Sequence, residues 1–300
     1  MKPEPVRSQG DLFKIFGIDD KKLLDLISLR SQYKKHHIPK KSGGLRTIAN
    51  PPRDLKLFHK KLVGYFSQIK KTDFAFGGVK GKCRRDVALI HIKNHHILKC
   101  DIKNCFPSIS ERIVVKELLD LSFSYKYARI FAKILTLEGT LPQGAPSSPV
   151  IANLILDNVD IQVTKKLPSG AKYSRWIDDI IVSFPKRFEH NAIEEVSKNI
   201  ENTIIRNGFI LKDEIKVVPK EHCSNLLGLS VSKKINVPKK WYKILRSQVN
   251  RLSKGYYRDE EKEKIESTVK GKMTLLKEVT KQHRKRTRYE KLAHRFKNLY

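Results

Sequence analysis

Ala171-Lys-Tyr-Ser-Arg-Trp176-Ile-Asp-Asp-Ile180-Ile-Val-Ser-Phe184 sets two runs of strand-forming residues on either side of the adjacent carboxylates Asp178 and Asp179. The pattern predicts a β-hairpin with both acids at its tip, well placed to hold a cation. On its own an Asp-Asp turn is more often a solvated corner, by roughly ten to one. Asp101 changes that balance. It closes a second apolar run, His96-Ile-Leu-Lys-Cys100, and precedes Ile102-Lys-Asn-Cys-Phe106-Pro-Ser-Ile. Three carboxylates gathered at strand ends would bind two Mg²⁺ ions through oxygen, an arrangement that activates an attacking hydroxyl and stabilises departing pyrophosphate in nucleotidyl transfer.

The composition points to the partner. Lys and Arg outnumber Asp and Glu by 62 to 31, a formal charge of +31 over 300 residues, so a polyanion is expected and nucleic acid is the leading candidate. No apolar run approaches the roughly twenty residues of a spanning helix, and Met1-Lys-Pro-Glu-Pro-Val-Arg has no apolar signal core. A cytoplasmic protein without a membrane partner is the expectation. Cysteines 83, 100, 105 and 223 show no Cys-x-x-Cys spacing and are expected to be reduced, buried and small. The doublets His36-His37 and His95-His96 lack a second ligand pair at zinc-site spacing.

Apolar spacing predicts one or two short helices over 11–33, and then His37 to Ala49 reads as two strands joined by the basic turn Lys41-Ser-Gly-Gly44. A helix is expected from Arg53 to Ile69, a glycine-rich basic loop over Phe74–Lys82, and a further helix from Asp86 to Asn94. After the Asp101 strand, Ser108-Ile-Ser-Glu111 has the spacing of a capping box that would start a helix through Leu121. Leu141-Pro-Gln-Gly-Ala-Pro-Ser-Ser-Pro149 leads into a helix over 150–167 with Ser148 as N-cap and Pro149 at its first position. An amphipathic helix over 189–207 ends at Asn207-Gly208. The simplest reading of 96–220 is a βαββ-like core, an antiparallel sheet backed by helices, in an α+β fold. Residues 239–300 change character, with Lys and Arg between apolar positions at helical spacing, and predict a basic helical subdomain that binds phosphate.

The order of these motifs resembles reverse transcriptases of the bacterial type, including retron and group II intron enzymes, across roughly residues 37–250. Asp101-Ile-Lys-Asn-Cys-Phe-Pro-Ser-Ile is similar to the family's first catalytic motif, and Gln143-Gly-Ala-Pro-Ser-Ser-Pro-Val-Ile-Ala-Asn153 to the second. Trp176-Ile-Asp-Asp179 stands at the aromatic-x-Asp-Asp tetrad, with Gly208–Lys216 and Asn225-Leu-Leu-Gly-Leu229 at the two motifs that follow. The chain departs from the pattern in having Trp176 for Tyr, a bulkier Ile177, only the Ala and His of Asn-Ala-x-x-His in Val87–His91, and Leu226-Leu-Gly228 for Val-Thr-Gly.

The resemblance implies a right-hand polymerase: N-terminal helices and fingers over 1–95, an antiparallel-sheet palm over 96–235 with fingers elements near 115–150, and a helical thumb over 236–300. Asp101 and Asp178 would be the principal metal ligands, together with the Ile102 backbone, and Asp179 would support them. Two Mg²⁺ ions, with Mn²⁺ as an alternative, are the implied cofactors. Lys40 or Lys41 with Arg46 would clamp the triphosphate, Gln143 and Gly144 would line the nucleotide, and Phe106 would exclude a ribose 2′-hydroxyl. Lys216 would donate a proton to pyrophosphate. Trp176 with Leu227, Gly228 and Leu229 would hold the primer end, and Arg284, Lys285, Arg286 and Arg288 would follow the nucleic-acid backbone. The implied activity is RNA-directed DNA synthesis on a structured noncoding RNA from dNTPs, in antiviral defence, with a toxin or effector protein as a further partner. Untemplated or protein-primed DNA synthesis and an idle RNA-binding scaffold are the competing expectations.

Overall fold

The structure is a computed structural model that describes residues 3–40, 43–69, 72–186, 188–219, 225–231, 234–280 and 287–297. In chain order the elements begin with α1 (Gln9–Phe16), α2 (Asp20–Ser28), β1 (Lys34–Pro39), β2 (Leu45–Asn50), α3 (Arg53–Phe66), α4 (Arg84–His91) and β3 (His96–Asp101). There follow α5 (Cys105–Ser108), α6 (Glu111–Asp120), α7 (Tyr125–Leu135), α8 (Ser148–Thr164), β4 (Lys172–Trp176), β5 (Asp179–Phe184) and α9 (His190–Arg206). The chain closes with β6 (Lys216–Pro219), β7 (Asn225–Leu226), β8 (Leu229–Val231), β9 (Ile235–Asn236), α10 (Lys239–Ser253), α11 (Asp259–Thr280) and α12 (Thr287–Lys297).

The expected βαββ core is present as a four-stranded sheet in the order β4-β5-β3-β6. Its strands are apolar because both faces are covered: Ile97, Leu98, Ile180, Ile181, Val182 and Phe184 are all buried. The chain divides into two compact units.

One unit comprises Met1–Lys82, Leu98–Ile181 and Phe188–Lys216. Its helical part is sealed by Phe16, Phe58, Tyr65, Phe66, Phe123 and Phe131, whose rings meet at centroid separations of 5.0–6.3 Å in mostly tilted or edge-on geometry. The β1–β2 hairpin pairs antiparallel from Lys34 with Asn50 to Pro39 with Leu45. β1 is exposed throughout. Two expected helix starts shift. Ser110, not Ser108, caps α6 by accepting from the Ile113 amide, because Ser108 belongs to α5 and donates to the Cys105 carbonyl. Ser148 lies inside α8, where its hydroxyl donates to the Pro142 carbonyl, and the residue before the helix is Ser147.

The other unit comprises Cys83–Ile97, Val182–Arg187 and Val217–Tyr300. β7, β8 and β9 form a three-stranded antiparallel sheet. His91 is buried and its Nδ1 meets the Ser183 hydroxyl at 2.7 Å, while Asn94 donates to the same hydroxyl. Burial lowers the imidazole pKa to about 3, so the ring is a neutral packing group. The expected basic helical subdomain is α10 to α12, joined through Leu245, Val249, Val269, Met273, Leu276 and Leu292. Among the described residues no helix is long and apolar enough to cross a membrane.

Candidate active site

The site starts from strand order. β3 and β5 are antiparallel neighbours, so the end of β3 lies beside the start of β5, and Asp101 is drawn to the turn that carries Asp178 and Asp179. One backbone bond fixes the meeting: the Ile102 amide donates to the Asp178 carbonyl at 3.1 Å. On the opposite side, the Lys212 amide donates to the Asp101 carbonyl at 2.9 Å and the Lys103 amide to the Ile210 carbonyl at 2.8 Å. Extended backbone turns the N–H and C=O of one residue to the same side, so the Ile102 carbonyl faces the Asp178 turn. The Ile102 side chain is wholly buried, leaving only its backbone for chemistry.

Electrostatics mark the same place. Burial, then the negative charge of Asp101, raises the Asp178 pKa, against the pull of its own amide, Arg46 and Lys212. Asp179 is pushed up to about 6, first by burial and then by Asp178 and Asp101, with Lys212 and Lys99 opposing. Lys212 stands 3.4 Å from the Asp101 carboxylate in a half-exposed pair. Cys100 and Cys105 are buried beside the acids, and burial, with lesser help from the carboxylates, lifts both thiols to about 12. They are protonated packing groups, as expected. Cys83 is partly buried, and Cys223 lies outside the described residues.

Among the described residues no group of three or more His, Cys, Asp and Glu side chains is gathered closely enough to hold a metal ion unaided. The donors present still suit Mg²⁺, a hard cation that keeps water and is commonly bound by one or two carboxylates completed by substrate phosphate. Asp101, Asp178 and the Ile102 carbonyl form such an incomplete oxygen set, and the mutual repulsion of its acids is what a divalent cation relieves.

The surrounding residues divide by placement. Arg46 and Lys40 are exposed on the β1–β2 hairpin, and Arg46 lies close enough to Asp178 to lower its pKa. Gly43 and Gly44, at φ 85° and 78°, make the turn, closed by the Lys40 amide on the Gly44 carbonyl. Phe106 is half-buried in α5, which follows Asn104 at φ 49°. Gln143 accepts from the Ala49 amide through its carbonyl at 2.7 Å, tying the loop before α8 to β2. Gly144, at φ 122°, lies so close that a Cβ would stand 2.6 Å from the Ala49 carbonyl oxygen. Its lack of side chain serves that approach. Gly144→Ala should displace the loop by a large fraction of an ångström and lower kcat/KM for dNTP on the order of 100-fold, read in steady-state extension.

Trp176 ends β4 and is half-buried. Leu227, at φ 51°, and Gly228 form the turn between β7 and β8, where Asn225 accepts from the Gly228 amide and the Arg84 guanidinium donates to the Leu227 carbonyl. Leu229 is wholly buried, so it holds that turn from within and presents no surface to a primer. Lys216 is exposed at the start of β6; the lysine brought to Asp101 is Lys212, which the sequence reading did not single out. Lys41, Arg284, Lys285 and Arg286 lie outside the described residues, as does the side chain of Arg288.

Beneath the acids lies a group that sequence reading missed. Arg175 is fully buried and forks onto Asp160 through Nε and Nη2, each at 2.8 Å. Its Nη1 donates to Asn153 and to the Ile177 carbonyl, both at 2.9 Å, and the Tyr173 hydroxyl also donates to Asp160 at 2.6 Å.

Residues 38–231 match the family model described as reverse transcriptase (RNA-dependent DNA polymerase). The chain belongs to the reverse transcriptase family. It is a retron-type member: it is 30% identical over 251 residues to the retron Ec73 reverse transcriptase of Escherichia coli, covering 77% of this chain and 79% of that one. It is 28% identical to the retron Se72 reverse transcriptase of Salmonella heidelberg, covering 78% of this chain and 64% of that enzyme. Among solved structures, a telomerase from Candida tropicalis with a fragment of telomeric RNA aligns at TM-score 0.49 and 11% identity, over 89% of this chain and 58% of that one. The fold class of this reverse transcriptase is the α+β right-hand polymerase.

Proposed function

We propose that this reverse transcriptase copies one dedicated structured noncoding RNA into DNA, in a retron antiviral defence system with a toxin or effector protein as partner. The observation that carries the catalytic part is the Ile102–Asp178 backbone bond, which sets Asp101 beside the Asp178 turn. In the reaction, a primer hydroxyl attacks the α-phosphorus of a dNTP, the new phosphodiester bond forms, and pyrophosphate leaves. Asp101, Asp178 and the Ile102 carbonyl would hold Mg²⁺ there, or Mn²⁺ in its place, as a pair of ions once nucleotide supplies the remaining oxygens; bound metal would polarise the phosphate and lower the pKa of the attacking hydroxyl. Asp179 supports the charge from the start of β5.

Arg46 and Lys40 on the hairpin, with Lys41, meet the triphosphate, while Gln143 and Gly144 border base and sugar. Lys212 and Lys216 are the ammonium groups for departing pyrophosphate. Residues 1–95 act as fingers, 96–235 as palm and 236–300 as thumb. Leu227 and Gly228 with Trp176 steady the primer, and Arg284, Lys285, Arg286 and Arg288 follow the RNA backbone. The +31 charge supports a nucleic-acid partner, and the likeness to retron reverse transcriptases supports a dedicated RNA.

Phe106 sets sugar choice. The ring is only half-buried, and on this reading Phe106→Ala should lower dNTP over rNTP discrimination by about 10- to 200-fold in kcat/KM, with the fold retained. An unchanged ratio would return the ring to a packing role.

The whole reading is tested by sequencing nucleic acid that copurifies from the native host at moderate salt. A single enriched RNA joined to complementary DNA is the expected result. A random sample of cellular RNA would overturn the dedicated template, and extension with one dNTP in the absence of RNA would favour untemplated synthesis.

A further inference from the structure

The loop Phe74–Lys82 carries two lysines and three glycines. Lys82 is turned inward, donating to the Asp73 and Ala75 carbonyls at 3.0 Å and lying 4.4 Å over the Phe76 ring, so it staples the loop. The loop runs along β4: the Arg175 amide donates to the Phe74 carbonyl and the Phe76 amide to the Arg175 carbonyl, each at 2.8 Å. Where it reaches the catalytic turn it meets Ile177, which sits at φ 57°. A β-branched residue resists that left-handed conformation and keeps it only where its surroundings dictate it.

The surroundings do dictate it. The Arg175 Nη1 holds the Ile177 carbonyl, and Asn153 receives the same Nη1 while its amide donates to the Gly77 carbonyl at 2.8 Å. A Cβ at Gly77 would lie 2.8 Å from the Ile177 amide nitrogen, 2.8 Å from its Cγ1 and 3.1 Å from the Trp176 carbonyl carbon. Two of these three are backbone atoms of the turn and cannot swing aside. Any side chain at residue 77 must therefore push the Trp176–Ile177 peptide, and Asp178 is the next residue.

We propose that Gly77 is a positioning residue for the metal-binding turn, clamping Ile177 against Arg175 and Asn153 so that Asp178 faces Asp101. The inference rests on the reading of Asp178 as a metal ligand. It assigns the glycine-rich loop to the geometry of the acids, a role that needs no contact with nucleic acid.

The test uses the full-length protein and its Gly77→Ala and Asn153→Ala variants. Mn²⁺ affinity is read by electron paramagnetic resonance of the free ion without nucleotide, and the pre-steady-state burst is read on an RNA template with a DNA primer. Gly77→Ala should weaken Mn²⁺ binding about 10- to 100-fold and slow the burst rate constant comparably, while the burst amplitude and the dNTP KM stay near wild type. Asn153→Ala should move both quantities in the same direction by less. A smaller burst at the wild-type rate constant signals lost folded enzyme and overturns the proposal, as does unchanged Mn²⁺ affinity. If Gly77→Ala does not fold, Asn153→Ala decides by the same criteria. Wild-type protein that binds Mn²⁺ through Asp178 but extends no primer would refute the polymerase reading, with the positioning role still judged by the Mn²⁺ affinities.

Discussion

Asp178→Asn should abolish primer extension and leave the melting temperature unchanged or higher. The rate should fall on the order of 1,000-fold or more, because the amide removes an anionic oxygen ligand whose work is worth several kcal/mol at the transition state. Stability moves the other way. The fold raises the Asp178 pKa through burial and the Asp101 charge, so the ionised carboxylate subtracts stability at neutral pH, and asparagine removes that penalty. As pH falls through the raised value the wild-type carboxyl protonates, and the advantage of the variant should shrink. Extension by gel assay in Mg²⁺ and melting curves from pH 7 to pH 4 check both halves. Near wild-type extension would remove Asp178 from the metal site.

The second large effect is structural. Asp160→Asn should cost about 3–5 kcal/mol of unfolding free energy, measured by urea denaturation, because it leaves the guanidinium of Arg175 buried and uncompensated. The Arg175→Met, Asp160→Leu double variant should recover much of that loss, since a pair of apolar side chains of similar volume removes the stranded charge. Activity should not return with stability, because methionine cannot donate to the Ile177 carbonyl. A double variant as unstable as the single one would show that the pair is stabilising in itself.

Much of this architecture was legible because local chemistry and tertiary structure agree. The Trp176–Asp179 turn lies between β4 and β5, and Asn207-Gly208 ends α9 with Gly208 at φ 82°. Ser108 and Ser110 show where such reading slips. Either could cap a helix before Glu111, and the choice falls to Ser110 because α5 claims its neighbour. Lys212 and Lys216 differ in the same way: both follow Gly208, but only the pairing of 210–212 with 101–103 brings one of them to Asp101. That pairing crosses more than a hundred residues and leaves no local signature. Asp160 did leave one. α8 carries Asp157 and Asp160 but no Lys or Arg, and acids on a helix buried nearly all round need partners from elsewhere.

The same buried pair shapes how this enzyme can diverge. A chain that exchanges Asp160 or Arg175 alone passes through an unstable protein with a displaced catalytic turn, so the two positions are expected to drift together or not at all. Descendants could vary the hairpin lysines and the basic helices freely in response to a changing RNA, while the residues under the acids would hold their ancestral pairing.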